Sequence, residues 1–280
     1  MLRSTLIVAR FAVLEVVRKR VIIIGLALTG AYLLLFGLGL HYLGLHIGDL
    51  QRHVAGMALF SMGFYLATFL TVLMAAFSGV GAISGEIEAG TAHALLAEPV
   101  SRTQVLVGKF LGYAAMLSVY AALFFVGIWG LVAWQLGIAL PGLLTVLPLF
   151  LLEPLIMLAL AFLGSTVMST LANGVALFLL YGIILVAGMV EQIGGSLRLA
   201  GGAAAAATAD VMVNIGIVSS LILPLDAIYR RAVFILVGGS LLETPFGSLS
   251  VPSPAMLVYA GLYFLACLLL AIRVFKRKSV

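Results

Sequence analysis

Long apolar runs alternate with short polar ones along this chain, and the apolar runs are longer than a soluble core helix requires. The first covers Val21 to about Leu40 and the second about Met57 to Ile83, each at least the roughly 20 residues that a helix needs to cross hydrocarbon. No charge occurs from Phe110 to Leu152, a length of about two crossings, so the chain must reverse there. The breakers in GIALPG, Gly137 to Gly142, supply that reversal. They predict a third span over about Phe110–Leu136 and a fourth over about Val146–Met168. The polar run Ser169–Gly174 predicts a second reversal, with a fifth span near Val175–Val190 and a last one near Ala255–Ile272. No stretch alternates with a period of two, which excludes a membrane barrel. The pattern predicts an all-α polytopic membrane protein of about six transmembrane helices, forming a single transmembrane domain over residues 1–280.

Two regions lie outside these spans. Residues 1–20 predict an N-terminal amphipathic elbow helix, with Leu2, Leu6, Ala9, Val13 and Val16 on one face and Glu15 placed to pair with Lys19. Residues 191–251 combine Gly and Ala repeats with Asn214, Pro224, Asp226 and the Arg230–Arg231 pair, a poor composition for a full span. They read as a helical extracytoplasmic insertion before the last span, lying on the surface or re-entering the membrane. A further pair of crossings there would leave the parity of the topology unchanged.

Composition agrees with the pattern: 64% of residues are hydrophobic and 9% charged, against about 25% charged in a soluble domain. Charge then orients the chain. Residues 1–20, 84–109 and 273–280 hold five, two and four of the 15 basic residues, which places them and both termini on the cytoplasmic side. The net charge of +5 is accounted for by these basic ends and anionic lipid headgroups, so no nucleic-acid partner is expected. Cys267 stands alone in an apolar run and reads as a small buried hydrophobe. No cleavable leader is expected, because the first apolar run is too long and lacks a small-residue cleavage site.

The stretch Ser84–Lys109 (SGEIEAGTAHALLAEPVSRTQVLVGK) carries Glu86, Glu88, Glu98, Arg102 and Lys109. A charge at the bilayer centre costs on the order of 3 kcal/mol or more, so this segment belongs in water. Ser101 and Gln104 have the spacing of a capping box, with Val100 and Val105 as its staple and Pro99 barring helix upstream. Gly90 and Thr91 can end one helix and cap a short one over Ala92–Leu96. The chain has no P-loop, HExxH, CxxC or GxSxG, so any ATP-driven work needs another polypeptide to hydrolyse the nucleotide.

GEIEAGTAHALLAEPVSRTQVLVGKFLG resembles the loop after the second span of ABC exporter permeases of the type-two, NosY-like family. Glu86, Glu88, Gly90, Thr91, Leu95, Leu96, Pro99, Arg102, Gly108 and Lys109 carry the likeness. Pro224, Asp226, Tyr229 and Arg230 add a looser one in the outer segment. The resemblance implies a permease subunit that dimerises and docks two copies of an ABC ATPase through residues 84–109, with Glu86, Glu88, Gly90, Thr91, Leu95, Pro99, Ser101 and Arg102 as the coupling residues. It further implies that this chain has no catalytic site and binds no cofactor, ATP and Mg being held by the partner. The expected location is the prokaryotic cytoplasmic (inner) membrane, with an extracytoplasmic partner conceivable at the outer insertion.

Glu153 is the one acidic residue inside a predicted span, followed by Pro154. Intramembrane ionisable groups are functional candidates by default; the plainer reading is a protonated or snorkelling carboxyl near the interface, kinked there by proline. Ser61, Tyr65 and Thr68 share one face of the second span at i, i+4 and i+7, and either line a pathway or bond between helices. The GxxxG pairs Gly81/Gly85 and Gly108/Gly112 read as close helix packing. His41, His46 and His53 approach the outer face without the spacing of a metal site, so no metal is expected. Two rival functions stay open on these residues: a self-sufficient secondary transporter or channel using Glu153, and a membrane scaffold for an extracytoplasmic assembly factor.

Overall fold

The computed structural model describes residues 2–18, 20–46, 48–90, 101–137, 142–200, 203–236 and 251–277. Ten helices occupy the described residues: α1 Leu2–Arg18, α2 Arg20–His46, α3 Asp49–Gly79, α4 Ser84–Glu88, α5 Arg102–Leu136, α6 Leu143–Val167, α7 Thr170–Ala200, α8 Ala203–Ile222, α9 Leu225–Leu236 and α10 Pro254–Arg277. The all-α prediction holds, but the helices outrun the apolar runs. The expected polar loop around His46–His53 is mostly helix, because α3 already begins at Asp49. The third span begins at Arg102 rather than near Phe110: the capping box forms, Ser101 N donating to Gln104 Oε1 at 2.9 Å and Gln104 N to Ser101 Oγ at 3.3 Å. The reversal at GIALPG is bounded by Gly137 and Gly142, both left-handed at φ 65° and 80°, a conformation that favours glycine.

Packing orders these helices around an aromatic core. Phe60 and Phe64 of α3, Phe125 of α5, Phe150 of α6 and Tyr229 of α9 form a continuous set of ring contacts with centroids 5.3–6.5 Å apart. α2 runs beside α5, joined by the Thr29–Tyr120 hydroxyl bond at 2.6 Å, and is tied to α3 where Tyr32 Oη donates to Gly63 O at 3.1 Å. α10 reaches the same bundle through Phe264 against Phe110.

The N-terminal helix α1 packs onto the bundle. It lies across the first turns of α5, where Gly108 and Gly112 open a gap: an added Cβ would fall 2.8 Å from Thr5 O and 2.5 Å from Ala9 O. The gap admits the small side of the helix, so Ala12 and Val16 are buried while Leu6, Ile7, Phe11 and Leu14 are exposed. Of the apolar face read from the sequence, Val16 is buried and Leu6 exposed. Leu6 points away from the protein, because backbone approach at two glycines has no room for leucine.

Seven helices among the described residues are long and apolar enough to cross a membrane, including Ala205–Ile222 within α8. Packing sets the path of α8. α7 rises from the end of the bundle that carries α4, and Gly194 of α7 meets Ala209 and Met212 of α8. Lower down, Glu191 lies over Gly216, and Gly188 faces Asp226 at the start of α9. α9 then climbs back: Tyr229 Oη donates to Ser61 O at 3.3 Å, and Ile235 reaches Gly142 at the head of α6. α8 and α9 thus enter and leave the bundle at one end as a hairpin. Within the segment 191–251, residues 201–202 and 237–250 lie outside the described residues.

Candidate functional site

Two polar clusters sit in this apolar bundle. The first lies at the end of the bundle where α1, α4 and α5 meet. Lys109 is buried, with its side chain 4% exposed, and its Nζ donates to Ala82 O at 3.0 Å. It forms ion pairs with Glu86 of α4 and, at 3.4 Å, with Glu15 of α1. Tyr113 Oη adds a hydrogen bond to Glu15 at 2.9 Å. One ammonium therefore joins three helices, and its remaining donor capacity goes to backbone. Lys109 is apolar enough along its stem to be buried on α5 provided that its head is paired.

α4 is also fastened to α7. Glu88 Oε1 accepts from Thr170 N at 2.8 Å, which satisfies an otherwise open amide at the helix start. Ser84 Oγ and Thr170 Oγ1 are 2.8 Å apart. Asn173 Nδ2 donates to Val80 O and Ala161 O, both at 2.9 Å, linking α7 to the end of α3 and to α6.

Of the expected coupling residues, Glu86 and Glu88 are thus bonded to the protein's own helices, with Glu88 still exposed. Gly90 closes α4 in the left-handed region at φ 71° with open space around it. Ser101 caps α5 and Arg102 opens its first turn. Thr91, Leu95 and Pro99, and the short helix expected over Ala92–Leu96, lie outside the described residues. Lys19, the expected partner of Glu15, also lies outside them; within them Glu15 pairs with Lys109 and Tyr113.

The second cluster lies about halfway into the bundle. Glu153 is ten residues along α6 from Leu143, about 15 Å at 1.5 Å per residue, and is fully buried. That burial removes the snorkelling reading. Glu153, Tyr65, Thr68, Tyr181, Asp226 and Tyr229 line one small cleft, with about 20 Å³ open to the centres of water-sized molecules. Beside it, Arg230 pairs with Glu191 of α7 and, through Nε at 2.9 Å, with Asp226 one turn earlier on α9. Arg230 also reaches Ser220 Oγ at 3.2 Å. This guanidinium holds the base of the hairpin to α7. Neither oxygen of Glu153 has a hydrogen-bond partner, and Thr68 Oγ1 has none.

The face read from the sequence of α3 therefore divides. Tyr65 and Thr68 meet Glu153 at the cleft, while Ser61 turns its hydroxyl onto Ala58 O at 2.8 Å and offers only its carbonyl to Tyr229. His46 is taken up by its own helix, Nδ1 lying 2.8 Å from Tyr42 O, and among the described residues no group of His, Cys, Asp and Glu could hold a metal ion. Sequence reasoning missed Lys109, Glu15 and Thr170 as clamps, Tyr181 and Asp226 as neighbours of Glu153, and Glu191 and Arg230 as the pair beside them. The i,i+4 spacing of Asp226 and Arg230 was the available signal. The pairing of Arg230 with Glu191, 39 residues away, left no local trace.

A clamped polar end beneath a bundle of apolar helices and a hairpin fits a transport subunit, and comparison with known proteins decides which kind. Residues 14–280 match the family described as ABC-2 family transporter protein. The chain belongs to that family. It is therefore a multi-pass membrane permease of the ABC-2 type, the membrane subunit of an ABC transporter. Two curated relatives share a shorter stretch with this permease. Each is named "Probable ABC transporter permease protein NosY": that of Pseudomonas aeruginosa is 49% identical and that of Stutzerimonas stutzeri 47% identical, over 53 residues in both cases. The match spans about a fifth of the chain and of each relative, 19% in every case.

Proposed function

We infer that this permease works as a homodimer in an ABC exporter and is driven by two copies of a separate ATPase that engage residues 84–109. The supporting observation is the clamp around α4. Glu86 binds Lys109 and through it Glu15, and Glu88 binds the first amide of α7. A displacement of this segment is passed to α1, α5 and α7 together, because each link is a charged or capping contact with no compliant spacer between. Glu86 and Glu88 are positioning residues in this reading, and the surface offered to the ATPase is made by the residues beyond Gly90 and by Arg102. ATP and Mg belong to the partner, and both termini face the cytoplasm of a prokaryotic cell across its inner membrane.

The test is to purify the chain with the ATPase encoded beside it and to follow hydrolysis in nanodiscs. Arg102→Ala is expected to weaken the complex. Glu88→Ala is expected to leave the complex assembled and to uncouple ATPase from transport. Solute movement by the chain alone in liposomes under a proton gradient would overturn the reading in favour of a secondary transporter. A complex that hydrolyses ATP with no solute moved would favour the scaffold.

A further inference from the structure

The clamp at α4 is chemically complete, but the cleft around Glu153 is not. Arg230 is engaged by Glu191 and Asp226, and Asp226 shares the cleft with a third carboxyl group, Glu153. Glu153 has no cation of its own. Asp226 faces it from α9, and α3 and α7 present only uncharged groups to the cleft, Tyr65, Thr68 and Tyr181 among them. Arg231 is turned elsewhere, over the Phe234 ring and toward Pro252 O. A buried polar atom without a partner carries a penalty of about 1–3 kcal/mol, more if charged. Both Glu153 oxygens and Thr68 Oγ1 stand in that condition at the same cleft.

The rest of the lining narrows what would relieve it. Tyr65 and Tyr229 meet edge to face at 5.3 Å, and Phe69 stacks on Tyr181 at 6.0 Å, so four aromatic rings line the cleft that holds the free carboxyl. Ring faces and a carboxylate together recognise an ammonium group, which supplies N–H donors to unpartnered oxygens and positive charge to the rings. A bare alkali ion would draw only on the oxygens of the lining and gain little from its rings, so sodium and potassium are the competitors the test must include, and a transition metal would need His or Cys donors. The small volume selects a primary ammonium over a quaternary one.

We propose that the cleft between α3, α6, α7 and α9 is a binding site for a small primary ammonium group, held by Glu153 and Thr68 within the rings of Tyr65, Tyr181 and Tyr229. The site is a property of this chain alone and does not depend on how the permease is powered. Its test is accordingly separate: equilibrium binding of radiolabelled methylammonium to the full chain in nanodiscs, without ATPase or nucleotide. Saturable binding of one per chain is expected, displaced by ammonium and ethylammonium and not by equal concentrations of sodium, potassium or tetramethylammonium. Glu153→Gln should weaken it roughly tenfold or more, the loss of a charge-assisted contact. Tyr181→Leu should weaken it about threefold, and Tyr181→Phe, which keeps the ring, less than about twofold. Absence of saturable binding, equal displacement by sodium or potassium, or unchanged affinity in Glu153→Gln overturns the proposal. The displacement series needs no variant, so it decides the matter even if a substituted chain fails to fold.

Discussion

The two polar clusters use the same residue types and differ in how well they are satisfied. At the α4 end, Lys109 has two carboxylates and a carbonyl, and Tyr113 completes Glu15. Halfway into the bundle, Arg230 holds two carboxylates and a third, Glu153, has none. A fully paired network fixes geometry, whereas a partly paired one in low dielectric is held open at a cost. The first arrangement suits a mechanical joint, and the second suits a site that takes something in.

That contrast can be broken by substitution. The largest effect is expected from Arg230→Leu, which strands Glu191 and Asp226 in the interior; removing one side of a buried pair costs about 3–5 kcal/mol. Thermal unfolding in detergent should show it, and a change within error would mean that the hairpin is not held by this pair. Lys109→Met should cost less, about 1–2 kcal/mol, because Glu86 and Glu15 keep 25% and 38% side-chain exposure and can rehydrate. Its larger effect should be on coupling, read as ATPase activity that no longer responds to solute. Glu153→Leu should go the other way, raising stability by about 1 kcal/mol as an unpartnered carboxyl is replaced by apolar volume. A fall in unfolding temperature would show that Glu153 has a structural partner. The smallest effect, under about 0.5 kcal/mol, is expected for Glu88→Gln, which keeps the oxygen that accepts from Thr170 N. If that variant nonetheless dissociates the ATPase complex, Glu88 contacts the partner directly and its role as a positioning residue fails.

Several of these features were legible before any coordinates. The Ser101–Gln104 box and the reversal at Gly137–Gly142 formed as the local chemistry required, because caps and left-handed glycines depend on neighbours within a few residues. The helical face carrying Tyr65 and Thr68 also followed, since it needs only a period of 3.6. Glu86 and Glu88 show the opposite case. Their charges placed them outside the hydrocarbon, but nothing local indicates that Lys109 and Thr170 would receive them. The same limit applied to α8, whose composition permits a crossing and whose path is set by Gly194, Gly216 and the Arg230 pair.

By itself, then, the chain determined its crossings, its basic end and its turns, because hydrophobic length, charge and backbone stereochemistry act through one segment at a time. Only tertiary structure decided that α8 and α9 enter and leave the bundle at one end, that α1 is received at Gly108 and Gly112, and that Glu153 is left without a cation. Those outcomes depend on which distant groups share a small volume. In hydrocarbon that choice is enforced strongly, since a buried charge or carbonyl has no water to fall back on.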